Sequence, residues 1–446
     1  MPRAVSLPSP VAAVGSLRRP HHLLPRLVAA LCLSAVALPS ALGADPSPAW
    51  PRWRGPADQG STTTGKYPVT WDATKPTWKA PLPGKGCSTP IVHGDRIVLT
   101  APVEGRDAVL AFDLAGQPVW RTILGTETPG KHRNGSGSNP SPATDGRNVF
   151  VAFKSGTLAA LGFDGRIRWQ TNLVEGYGQE NLYWDHGTSP VLAGSVVVMT
   201  RMHAGDSWLA AFDRETGALR WKVARNYTTP TEGDQGYTTP LVISRGGRES
   251  ILVWGAMHLT AHDPADGSLL WFCGGFNPDS KAFWPAVASP VVVDDVAIVP
   301  YGRSDRGEPR LHGIRLGGRG DVTATHRIWL RTDTGTFVPS PAAAEGRVIL
   351  VRDRGEVEAV EPATGRTLWK DALPRASANY YASPLVAAGR LYAAREDGKV
   401  FVAEAGAAFR LLAENDMGER VVASPVAVGG RLLIRGEQHL YCLTAD

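Results

Sequence analysis

Cysteine is nearly absent from this chain: four residues in 446. One of them, Cys32, lies in an apolar stretch near the N-terminus, and the others, Cys87, Cys273 and Cys442, are widely separated. None forms a CxxC or adjacent pair, which excludes a disulfide scaffold, a cysteine-based zinc site and c-type haem attachment. These three read as small buried thiols. Long apolar runs are missing as well. The longest, Leu27 to Leu38, has 12 residues, short of the roughly 20 that span a bilayer as a helix. Charge of one sign is also lacking. Of the net +5, Arg3, Arg18, Arg19 and Arg26 supply +4 in a segment without acids, leaving +1 beyond it. A nucleic-acid partner is therefore not expected. The common catalytic signatures HExxH and GxSxG do not occur. The segment Gly60 to Lys66 (GSTTTGK) fails as a phosphate-binding loop. Tyr67 stands where a Ser or Thr is needed, and Pro68 stops the helix that must follow.

The basic start, the short apolar run and the small residues Ala41-Leu42-Gly43 before Ala44 read as a secretory leader over residues 1–43. Residues 44–76 then form a strap and linker, and residues 77–446 the folded body. The mature chain is expected to be exported, monomeric and without a transmembrane span.

What is abundant is glycine (49), proline (35) and tryptophan (14), and their placement is periodic. A Ser/Thr-Pro step recurs at Thr89-Pro90, Ser141-Pro142, Ser189-Pro190, Thr239-Pro240, Ser289-Pro290, Ser340-Pro341, Ser383-Pro384 and Ser424-Pro425. The prolines are 52, 48, 50, 50, 51, 43 and 41 residues apart, a period typical of propeller blades. Each copy holds short β-branched runs separated by turn residues, about four strands. It ends in an acidic residue, a glycine turn and a tryptophan, as in Asp213 to Gly217 and Trp221. The recurring Trp78, Trp120, Trp169, Trp221, Trp271, Trp329 and Trp369 belong on outer strands, packed between neighbouring sheets; the seventh copy has Phe409 instead. The eighth copy stops after three strands. Thr77-Trp78-Lys79-Ala80 supplies the missing fourth by pairing with Leu440 to Leu443, which closes a ring and removes open edges. The reading is all-β: an eight-bladed β-propeller of four-stranded antiparallel blades.

Ala211 to Trp221 nearly meets the pattern Ala-x-Asp-x-x-Thr-Gly-x-x-x-Trp, and with it the chain resembles the pyrroloquinoline-quinone-type (PQQ-like) propeller repeats. The opening Trp50-Pro51-Arg52-Trp53-Arg54-Gly55-Pro56 is similar to the start of secreted, planctomycete-type bacterial members of that family. Two branches of the family are informative. The propeller lipoprotein of the outer-membrane β-barrel assembly machinery implies a non-catalytic scaffold. The quinoprotein dehydrogenases imply a quinone (PQQ), calcium, a catalytic Asp and an adjacent-cysteine disulfide, and that last feature is missing here.

In a propeller, the loops joining each outer strand to the next inner strand converge around the channel on one face. Here they carry His132, Arg133 and Asn134, then Glu180, Asn181, Tyr183, Trp184, Asp185 and His186, then Asp234 and Tyr237, then Phe283 and Trp284, and last Tyr380 and Tyr381. Aromatic, Asn and Arg enrichment suits a recognition surface; plugging of the channel by the same aromatics is the competing arrangement. Glu180, Asp185 and His186 offer oxygens and nitrogen for a metal, but no catalytic or metal set is assigned. The expected function is a non-catalytic scaffold binding a protein or cell-envelope component. A PQQ/calcium dehydrogenase and a carbohydrate- or small-ligand-binding propeller are the alternatives.

Overall fold

The computed structural model describes residues 49–445, so the expected leader lies outside the described residues. Eight β-sheets follow one another along the chain, each built on four antiparallel strands. The first blade runs outward from Ile91–His93 through Arg96–Val103 and Arg106–Asp113 to Pro118–Thr126. Six more repeat it over residues 143–172, 191–224, 241–273, 291–331, 342–372 and 385–416. The eighth takes three strands from the C-terminus, Val426–Val428, Arg431–Arg435 and His439–Thr444, and its outer strand from Trp78–Pro81. Trp78 stands opposite Cys442 and Ala80 opposite Leu440, so one sheet holds both an early and the last strand.

The middle strands are buried almost throughout, because each sheet is covered on both faces by its neighbours. The outer strands alternate, as in Leu219–Ala224, where Trp221 and Val223 turn inward between exposed neighbours.

Both halves of the Ser/Thr-Pro step have a structural reason. Each inner strand begins at or just after its proline, where no ladder hydrogen bond is forfeited. The residue before the proline links neighbouring blades. The Thr89 N–H donates to Ser141 Oγ (2.9 Å), Ser141 to Ser189 (3.0 Å) and Ser189 to Thr239 (3.1 Å). The relay continues through Ser289, Ser340 and Ser383 to Ser424 at 2.9–3.2 Å. Among the described residues, only the seam between the last blade and the first lacks the link, and there Thr89 Oγ1 is buried without a partner.

The tryptophans and turn glycines form a second inter-blade set. The indole N–H of Trp78 donates to Leu114 O, Trp120 to Phe163 O, Trp169 to Arg214 O, Trp221 to Pro264 O, Trp329 to Pro362 O and Trp369 to Gly406 O, all at 2.8–2.9 Å. Each acceptor lies in the turn of the following blade. In five of these turns the glycine sits on the previous blade's indole, and an added Cβ would lie 2.5–2.7 Å from ring atoms at Gly116, Gly165, Gly217, Gly267 and Gly365. These glycines also have φ between 73° and 79°. The position is therefore doubly closed to other residues.

Residues 49–62 thread the channel. Ala49–Trp50 pair with Val92 and His93 of the first blade, and Ser61–Thr62 run parallel to Val386 and Ala387 of the seventh. Between them Pro51 O accepts from Thr144 N, and Gln59 bonds Val292 O and Ala343 N. Buried Arg54 donates to Pro384 O (2.8 Å) and Pro341 O (2.6 Å). The backbone hydrogen bonds of this strap are satisfied by inner strands exposed to the channel, not by the side or base of the propeller. The guanidinium of Arg54 lies over the Trp53 ring at 5.8 Å, while Arg52 pairs with Asp58 at 2.7 Å. Among the described residues, no helix is long and apolar enough to cross a membrane.

Candidate functional site

With the strap in one end, the channel becomes a well. It has a volume of about 670 Å³, with Trp53 among its lining residues and the hydroxyls of Ser141, Ser189, Thr239, Ser340, Ser383 and Ser424 around its wall. That volume is within the usual range for ligand pockets. The loops named from the sequence surround its mouth, and the structure sorts them.

His132, Asn134, Tyr183, Trp184, Asp185, Tyr237 and Tyr381 line the well. Tyr183 is 58% exposed and Trp184 41%. Their rings meet edge-on at 4.7 Å, and His132 meets Trp184 edge-on at 5.1 Å. The pair is held from behind: the Tyr183 N–H donates to Gln235 Oε1 (2.9 Å) and the Trp184 N–H to the Tyr237 hydroxyl (3.0 Å). Burial keeps the Tyr237 phenol protonated, well above its usual range.

Other candidates serve the scaffold. Trp284 and Tyr380 are buried and do not face the well. Trp284 packs edge-on against Tyr301 under Lys281 and Arg310, and Tyr380 packs against Phe401 and donates to Pro374 O at 3.1 Å. Arg133 ties its loop to Glu396 of the seventh blade (3.1 Å), which also accepts from Asn134 and Arg420. Asp234 and exposed Asn181 do not line the well.

Glu180, Asp185 and His186 do not converge. Glu180 pairs with His186 Nδ1 at 3.0 Å. Asp185 accepts from the backbone N–H groups of Lys131 and His132 and from Lys154 Nζ (2.7 Å). Burial would raise the Asp185 carboxyl, but the Lys154 and backbone donors outweigh it and hold it below the usual range. No group of three or more His, Cys, Asp or Glu arranged to hold a metal occurs among the described residues.

The loop pattern names Phe283, whereas Arg303 and Phe337 have no signature in the sequence. Phe283, 48% exposed, sits at φ 64°, a costly conformation for a bulky residue, fixed by its N–H to Thr231 O and by Arg303 to its carbonyl. Arg303 stacks on Phe337 at 4.3 Å and pairs with Asp305. Asp353 lines the same wall, but Ser304 Oγ (2.5 Å) and the N–H groups of Phe337 (3.1 Å) and Val338 (3.0 Å) occupy its oxygens. Arg303 ends a strand of the fifth blade, and Phe337 lies in the loop leading from that blade to the sixth.

A quinone with calcium requires free carboxylate and amide oxygens. In this well Asp185, Asp305 and Asp353 are each taken up by protein donors, and among the described residues Glu232 is the one lining carboxylate with no side-chain partner. Cys87 is a free thiol, raised by burial to about 11, and Cys273 and Cys442 are free and buried. The donor set does not fit the group, and no step through it is derived.

The family profile described as outer membrane protein assembly factor BamB matches residues 61–201, 105–371 and 309–440. The chain belongs to this family. The BamB of Yersinia pestis is 22% identical over 334 residues, covering 74% of this chain and 67% of that protein. A tetrathionate hydrolase from Acidianus ambivalens is 29% identical over 164 residues, but this spans only 32% of the chain and 30% of the hydrolase. Among solved structures, BamB from Moraxella catarrhalis aligns with a TM-score of 0.59 at 16% identity, over 83% of this chain and 99% of that one. The quinohemoprotein alcohol dehydrogenase of Comamonas testosteroni aligns at 0.65 and 13% identity, over 89% and 81%. At such identities these two structures share the fold with the BamB-family propeller, and nothing finer.

Proposed function

We propose that this BamB-family propeller is an exported, non-catalytic scaffold that captures a protein or cell-envelope component at the mouth of its blind channel. The observation that carries the reading is the exposed aromatic group Tyr183, Trp184 and Phe283. Its backbone is pinned by Gln235, Tyr237, Thr231 and Arg303 instead of being free to fold away. Rigid exposed aromatics beside a pocket are what protein hot spots require, since little conformational entropy is lost on binding. The donors saturating Asp185, Asp305 and Asp353 speak against a calcium–quinone site there.

A photo-cross-linking residue in place of Tyr183 is expected to yield a discrete protein adduct in exporting cells. The same residue in place of Lys370, on an outer strand, is expected to yield none. Equal labelling at both positions, or none at either, would contradict the assignment.

A further inference from the structure

Two departures from the repeat meet outside the fourth blade. One is the hairpin Arg245-Gly246-Gly247-Arg248; the other is the insertion Arg315-Leu316-Gly317-Gly318-Arg319 that leads into the short strand Gly320–Asp321. Both turn on paired glycines at positive φ, 55° and 76° in the first, 102° and 89° in the second. The first turn sets Arg245 opposite Arg248 in the hairpin. Arg245 Nη1 donates to Leu316 O at 2.6 Å and ties the two excursions together. The insertion replaces the turn that elsewhere receives the preceding indole, and among the described residues Trp271, alone of the recurring tryptophans, donates to no carbonyl. In its place Gly320 and Asp321 add in parallel opposite Trp271 and Phe272, and the pairing ends there.

Between these walls lies a cleft of about 1310 Å³. Its floor includes Leu269 and Leu270, 47% and 37% exposed. Arg220, Arg245, Arg248 and Arg319 line it against two acids, Glu249 and Asp263. Arg220 is held by Asp213, while Glu249 accepts from Gly194 N and Asp263 from Ala265 N. Among the described residues, exposed Arg248 and Arg319 have no carboxylate partner, and exposed Arg315 adds a third guanidinium without one beside the cleft.

We propose that this cleft is a second docking site, separate from the channel mouth, for an extended acidic polypeptide segment with apolar side chains. The unpaired arginines select a negative partner. The adjacent leucines call for apolar groups at the same place, which a polyanionic glycan does not supply. The chain's own two-residue strand shows that this sheet edge accepts a parallel backbone, the usual basis of strand addition.

The test is fluorescence anisotropy with a short labelled peptide of glutamate, leucine and serine, and a counterpart with lysine for glutamate. The intact protein is expected to bind the acidic peptide saturably, more weakly as salt is added, and to ignore the basic one. Arg248→Glu with Arg319→Glu should weaken binding at least about tenfold, and Leu269→Ser with Leu270→Ser should weaken it while keeping the salt dependence. Trp184→Ala with Phe283→Ala at the mouth should leave it unchanged, so failure here is separable from failure of the channel-mouth reading. All four cleft residues are exposed, and unchanged circular dichroism checks that the variants fold. The proposal is overturned by absence of saturable binding, by undiminished binding to the double charge reversal, or by a sulfated glycan that displaces the peptide and binds equally well to the leucine variants.

Discussion

Replacing Gly217 by alanine is expected to destabilise the protein by about 2–4 kcal/mol, and Trp169→Ala by about 3–5 kcal/mol. In the first variant a Cβ would lie 2.5 Å from the Trp169 ring at a backbone φ of 73°; in the second, the cavity opens under the same turn and Arg214 O loses its indole donor. The control is Gly94→Ala, which has comparable φ (58°) but nothing within 4 Å of the added methyl. It should cost only the conformational part, about 1 kcal/mol. Urea unfolding of the three variants checks this, and equal losses at Gly217 and Gly94 would remove the indole from the explanation.

Asp107 should make stability fall with rising pH. Its side chain is fully buried between the first two blades, where Ser155 Oγ donates to Oδ2 at 2.5 Å and Oδ1 has no partner among the described residues. Burial, aided by the nearby Glu127, pushes its pKa up to about 7, with the Ser155 hydrogen bond opposing. A folded state that keeps the proton longer than the unfolded state does is favoured below the ordinary carboxyl range. That advantage disappears as pH rises through about 7. Asp107→Asn cannot ionise, so its stability relative to the parent should climb between about pH 4 and pH 7 by roughly 3–4 kcal/mol, then level off. Paired unfolding measurements at pH 5 and pH 8 read this directly, and a pH-independent difference would mean that Asp107 is ionised in the folded protein throughout.

The repeat was legible because every blade must solve the same packing problem. A Ser or Thr hydroxyl serves the next blade's backbone, a proline opens the inner strand, and an indole rests on the next glycine, so composition recurs with the geometry. Where the chain departs from the repeat, legibility drops. The strap at residues 49–62 has no alternation to announce strands, since its partners are inner-strand edges that exist only after the ring has formed. Loop aromatics named themselves by type but not by direction. Trp184 and Trp284 sit in similar loops, yet one is 41% exposed and the other 3%, because Tyr301 and Arg310 offer Trp284 a niche. Phe283 is named by its loop but its exposure is not, because that depends on a left-handed backbone, and the Arg303–Phe337 stack carries no signal because a blade strand and a connecting loop meet there only in the folded chain.

The most direct measurement is the capture of the cross-linked partner by a variant carrying Tyr183→Ala, Trp184→Ala and Phe283→Ala together, with the photo-reactive residue moved to the neighbouring Asn181, and with Tm recorded on the same protein. Adduct formation should fall at least about tenfold, while Tm stays within a few degrees of the parent, since each ring is two-fifths or more exposed. Intact capture together with a large drop in Tm would show that these rings hold the blades together, and that the channel mouth is not where this propeller meets its partner.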